Sequence, residues 1–224
     1  GVVLMDISDR QAPFIMGRIE TEYPAFDIEL TAENKAIILT GDYSPNTKLA
    51  DDGTGEVLIV DCADPSFTEL SAIPVTASNL RLLGDRLFLS LGAAGLAVYD
   101  VSDPSAPALL GTWSDLPVKD IDANGDLFFA ATGGSGVVYL DGSDLGAIEF
   151  MAYAENHTGA GCFRVDAQLG VIHGLFEDGL IQVIPNPVLA VYRAIPDDGA
   201  RVPAELAQMA RFEKQVRDLQ HTSA

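Results

Sequence analysis

Residues 95–113 read GLAVYDVSDPSAPALLGTW: a glycine, an apolar run ending in Asp, a polar turn with Asp and Pro, then a second apolar run. The phrase returns at Gly1 (GVVLMDISDRQAP), Gly55 (GEVLIVDCADPS), Gly136 (GVVYLDGSDLG) and, more loosely, Gly179 (GLIQVIPNP). These glycines stand 54, 40, 41 and 43 residues apart. Such a period belongs to propellers and arrays, and the longest spacing is one period plus an insertion.

Within a period the apolar residues alternate or run in short β-branched and aromatic blocks bounded by Gly, Asn, Asp and Pro, as short strands require. The third unit divides into four strands: TASNLRLLG (76–84), RLFLSL after the turn Gly84-Asp85, LAVYDVS after the turn 92–95, and PALLGTW. The fourth unit repeats this with VKDIDA, LFFAA, VVYLD and GAIEFMAY, its first hairpin turning at Asn124-Gly125, a pair suited to a type I′ turn. Four antiparallel strands per roughly 40 residues make a propeller blade, in which radial repetition leaves only short, protected edges. The expected fold is an all-β propeller of four-stranded blades over 1–196, about 4.5 blades in all. Because Gly1 enters at a third strand, the first half-blade is expected to be completed by an upstream segment or a partner chain.

The blocks VVLMDISD, VLIVDCADP and LAVYDVSDPSAP, each followed by an apolar strand, resemble the LVIVD-repeat β-propellers. The resemblance implies a blade rather than an active site, and no catalytic residue comes with it. It also implies the setting common in that family, extracellular, periplasmic or on the cell surface.

Beyond Pro196 the pattern changes to a linker and an amphipathic helix over 197–224, with Met209, Phe212, Val216 and Leu219 on one stripe. No apolar run approaches the roughly 18 residues of a membrane span. The 33 acidic against 13 basic residues leave a net charge of −20, which repels phosphate backbones and argues against nucleic acid as a partner. Cys62 and Cys162 form no CxxC pair and are read as free, partly buried thiols.

In an antiparallel blade the turn between second and third strands emerges on the same face as the linkers between blades, so polar exceptions gather there. Aligning the first strands places Asp27, Asn79, Asp120 and Cys162 at one recurring position near the channel mouth. The first three could supply oxygen ligands to a hard cation such as Ca2+. The alternative is that they hydrogen-bond nearby backbone, as short polar side chains commonly do. The insertion over 41–56 is expected to be an extended loop, carrying Asp42, Tyr43, Asn46, Asp51, Asp52 and Glu56; Glu155, Asn156 and His157 of one linker and Glu177 and Asp178 of another turn complete a candidate binding face. DIDANGD (120–126) imitates the start of an EF-hand loop, but Ala131 stands where the bidentate Glu belongs, so a hairpin turn is expected. His173, in an apolar strand, is expected in the core.

No Ser stands in a G-x-S-x-G elbow and no Cys is paired with a His by pattern, so no catalytic residue is assigned. The leading reading is a non-catalytic scaffold that presents its loop face to a protein, glycan or cell-surface partner. Two alternatives stand beside it: a metal-dependent hydrolase or lactonase-like propeller with a cation at the channel mouth, and a subunit of a larger assembly.

Overall fold

The computed structural model describes residues 1–43, 50–63, 66–153, 162–168, 171–176 and 181–185. Each repeat is an antiparallel meander. A two-stranded sheet (β1 Val2–Asp6, β2 Phe14–Ile19) is followed by three four-stranded ones. These are β3 Ala25–Leu30, β4 Lys35–Tyr43, β5 Ala50–Asp61 and β6 Thr68–Ile73; β7 Asn79–Leu83, β8 Arg86–Ser90, β9 Leu96–Asp100 and β10 Ala108–Trp113; and β11 Asp120–Asn124, β12 Leu127–Ala131, β13 Val137–Asp141 and β14 Glu149–Tyr153. A three-stranded sheet ends the series: β15 Cys162–Gln168, β16 Val171–Phe176 and β17 Ile181–Pro185. The fourth strand expected for this last sheet and the helix expected over 197–224 lie outside the described residues.

The middle strands carry runs of consecutive buried apolar residues, such as Ala36–Leu39 of β4, Val57–Val60 of β5 and Leu87–Leu89 of β8, because both of their faces are covered there by neighbouring sheets. Since successive side chains point to opposite faces, Ile37 and Leu39 of β4 pack with Leu80, Leu87 and Leu89 of the following sheet, while Ala36 and Ile38 pack with Ile19 of the preceding one. The next interface joins Phe88, Leu96 and Val98 to Ile121, Phe128 and Val138, with Phe88 and Phe128 edge to face at 5.0 Å. A fourth joins Phe129 and Tyr139 to Cys162 and Val165. One blade alone would leave these rows in water, which is the physical reason for the repetition.

The recurring D-x-S-D phrase is turn chemistry. Asp6, Asp61, Asp100 and Asp141, each ending a third strand, accept the backbone N–H two residues on at 2.7 to 2.9 Å. Asp9, Asp103 and Asp144 do the same one step later. The hydroxyls of Ser8 and Ser102, with the backbone N–H groups second, hold the Asp6 and Asp100 carboxyls below their ordinary range, and the N–H groups of Ala63 and Ser143 do so first for Asp61 and Asp141.

Two local expectations are corrected. Residues 41–56 continue the sheet: Thr40 pairs with Glu56, Gly41 with Gly55 and Tyr43 with Ala50, so the insertion is a projecting hairpin on which only 44–49 are left undescribed. The turn after β11 pairs Asn124 with Leu127 and leaves Gly125-Asp126 as its centre; Gly125 alone takes positive φ, +64°, the type II′ pattern rather than type I′. Asn124 is thus a strand residue, and the EF-like segment is a hairpin, as expected.

Candidate functional site

The first strands β3, β7, β11 and β15 stand in sequence along the inner edge, and a cleft of about 540 Å³ opens among them. Register assigns its residues. Asp27 pairs with Leu39, Asn79 with Ser90, Asp120 with Ala131 and Arg164 with Leu175, so these four share one position. Cys162, expected in that set, sits two residues earlier. It bridges the turn glycine Gly133 as Val118 bridges Gly92, and the irregularity between Cys162 and Arg164 accounts for the offset. Its thiol, wholly buried, is pushed up to about 12 by that burial.

The carboxylates at this position are engaged by the next blade. Asp27 Oδ2 accepts the N–H of Leu80 at 3.0 Å, and Asp120 Oδ2 accepts that of Val165 at 2.9 Å. Between them, where Asn79 stands, Ser78 Oγ donates to the carbonyl of Lys119 at 3.3 Å. This is backbone tethering across sheets. Burial pushes Asp120 up to about 6, against the pull of the Val165 and Ile121 amides and of Arg164. Among the described residues no group of three His, Cys, Asp or Glu side chains is disposed to hold a metal ion.

Two residues further on lies a row that sequence reading overlooked: Glu29, Arg81, Asp122 and Asp166. Arg81 reaches back to Glu29 at 3.7 Å and forward to buried Asp122 at 3.5 Å, joining three successive first strands by charge. The signal was available as opposite charges at a common offset from the recurring polar position. His173 faces Asp166 across the β15–β16 ladder and is half-buried on the cleft wall rather than in the core. It occupies the register position of Ile37, Phe88 and Phe129, each of which is covered by a following sheet.

The outer part of the face is built around the projecting hairpin. Turn and linker do emerge together: Gly92 and Val118 exchange two hydrogen bonds of 2.9 Å, and Gly41 donates to the Pro24 carbonyl at 3.1 Å. At the hairpin base the charge of Glu22, then burial, then the charges of Glu56 and Asp42 hold the Tyr23 phenol above its ordinary range. Glu56 is itself raised by burial, then by Glu69 and Glu22. Exposed Asp42 accepts from Thr54 Oγ1 at 3.4 Å. Tyr43, Asp51 and Asp52 lie in the hairpin strands. Asn46, Glu155, Asn156, His157, Glu177 and Asp178 fall outside the described residues.

Four-stranded meanders packed face to face, with first strands at a shared inner edge, define a β-propeller repeat protein. Residues 74–115, which span the sheet β7–β10, match the family model of the LVIVD repeat. No curated protein matches the chain in sequence. Among solved structures, the computationally designed Ika4 protein is similar with a TM-score of 0.53 at 9% identity, over 73% of this chain and 92% of that one. The computationally designed Ika8 protein is similar with a TM-score of 0.55 at 10% identity, over 75% of this chain and 48% of that one. At these identities the likeness is one of fold alone. Among the described residues no helix is long and apolar enough to cross a membrane.

Proposed function

We propose that this propeller is a non-catalytic binding module that takes a protein partner with a basic surface on the face from which the β4–β5 hairpin projects. One observation carries the reading: the hairpin departs from the repeat. The equivalent connections close within residues 92–95 and 133–136, by hydrogen bonds from Gly95 to the Gly92 carbonyl and from Gly136 to that of Gly133. Folding asks for no more than that, and extended connections on a rigid scaffold are where binding residues concentrate. The carboxylates of Glu22, Asp42 and Glu56 near the hairpin base, in a chain of net charge −20, favour a cationic surface and steer its approach.

The test is photo-cross-linking. A benzophenone amino acid is placed at Asp42 and, in a second version, at exposed Glu149 on the outer strand β14. A single basic protein captured from position 42 and not from position 149 is the expected result. Equal labelling from both positions, or none from position 42, contradicts the proposal.

A further inference from the structure

The cleft among the first strands, at about 540 Å³, falls within the roughly 300 to 1,000 Å³ of small-molecule sites. Which ligand it suits follows from which of its polar groups are already spent. The acceptors are taken. Both carboxylate oxygens of Asp27 accept backbone N–H groups, Oδ1 from Ile28 and Oδ2 from Leu80, each at 3.0 Å. Asp120 accepts those of Val165 and Ile121. Glu29 is drawn to Arg81 at 3.7 Å, and Asp166 is engaged as well.

The donors, by contrast, are unmet. Arg81 Nε is buried without a hydrogen-bond acceptor, because Asp122 Oδ1 at 3.5 Å attracts its charge but is not aligned for a hydrogen bond. Among the described residues the guanidinium of Arg164, the amide of Asn79 and the imidazole of His173 have no hydrogen-bond or ion-pair partner, and all three line this cleft. They come from sheets on either side of β11: Asn79 and Arg81 from β7, Arg164 from β15 and His173 from β16. A buried donor left without an acceptor is costly, so a ligand that brings oxygen acceptors gains by binding here. A guanidinium takes a carboxylate in two parallel hydrogen bonds, whereas a cationic ligand would meet oxygens already bonded. A chain of net charge −20 repels anions at long range, so recognition rests on these short-range bonds.

We infer that the cleft binds a small, oxygen-rich carboxylate, with its carboxylate on Arg164 and its hydroxyl oxygens on Asn79 and Arg81 Nε. This stands independently of the binding role proposed for the β4–β5 hairpin.

Three sugars of one ring shape and different charge serve as probes: glucuronate, glucose and glucosamine. Each is titrated into the full, isotope-labelled chain while the amide signals of Leu80 and Val165 in the cleft are followed by NMR, with Leu109 on β10 as the reference. Glucuronate is expected to shift Leu80 and Val165 saturably and to bind about tenfold or more tighter than glucose, and glucosamine is expected to give no saturable shift. Arg164 is exposed, so Arg164→Gln is expected to leave the fold intact and to weaken glucuronate about tenfold or more. Asn79→Ala, read in the same way, is expected to weaken it about threefold or more. No saturable shift with glucuronate, equal affinity for glucosamine, or an unchanged glucuronate Kd in either folded variant overturns the inference.

Discussion

The carboxylate of Asp120 accepts the backbone N–H of Val165 at 2.9 Å, so the first strand of one sheet is tied to the first strand of the next by a side chain that is itself buried. The contact repeats between Asp27 and Leu80. It makes the inner edge of the propeller a stitched seam.

Asp120 gives that seam a pH signature. Its carboxyl, pushed up to about 6 chiefly by burial from an ordinary value of 3.8, holds a proton more tightly in the folded chain than in the unfolded one. The group therefore favours folding below about pH 4, and this contribution is lost as pH rises toward 6. Asp120→Asn removes the dependence while keeping an acceptor for Val165. Between pH 4 and 7 the stability of the variant is expected to gain on the parent by about 2 kcal/mol. Urea titrations across that range check it, and a difference that does not vary with pH contradicts it.

Arg81 tests the charged row. Its guanidinium is partly exposed, so its pair with Asp122 is worth less than a fully buried one, but Asp122 is buried and Arg81→Met leaves it without that cation. The expected loss is about 1 to 2 kcal/mol, and Arg81→Met combined with Asp122→Asn should cost less than the two separate losses added together. Strict additivity in the double-mutant cycle would show that the row is only solvated charge.

Gly111 tests the outer contact between blades. A Cβ there would stand 1.6 Å from the carbonyl oxygen of Leu145, in the turn that the next sheet lays over β10, whereas at Gly84 a Cβ meets nothing within 4 Å. Gly111→Ala is expected to cost more than about 2 kcal/mol by forcing backbone apart. Gly84→Ala, at φ +62°, pays only the local strain of about 1 kcal/mol. Equal thermal shifts for the two would mean that the sheets do not pack at Gly111 as described.

Much of the fold was legible because blade-forming residues act locally: Asp100 and Ser102 make their turn without help from elsewhere, and the runs RLFLS and VVYLD are apolar enough to announce two covered faces. The β4–β5 extension was misread because Gly41, Pro45, Asn46 and Gly53 carry the composition of a loop, while pairing such as Gly41 with Gly55 depends on a partner strand rather than on propensity. The recurring Asp was placed correctly for Asp27 and Asp120, but its bond to the next blade's N–H needs the sheets side by side. Cys162 was aligned by spacing alone, and an irregular pairing moved it two residues. The row from Glu29 to Asp166 escaped notice because each charge is unremarkable in its own strand and acquires meaning only beside its neighbours.

The most direct test of the binding role exchanges the hairpin for the turn of the adjacent sheet. Gly41 to Glu56 is replaced by Gly-Ala-Ala-Gly, the sequence of residues 92–95, which takes the same place between second and third strands. Loop length contributes little to closure entropy, so the thermal midpoint should move by only a few degrees. Calorimetric titration with the protein captured from position 42 should then show affinity weakened about a hundredfold or more. An unchanged Kd in a folded, shortened chain would contradict the account, because the hairpin that departs from the repeat would then have no part in recognition.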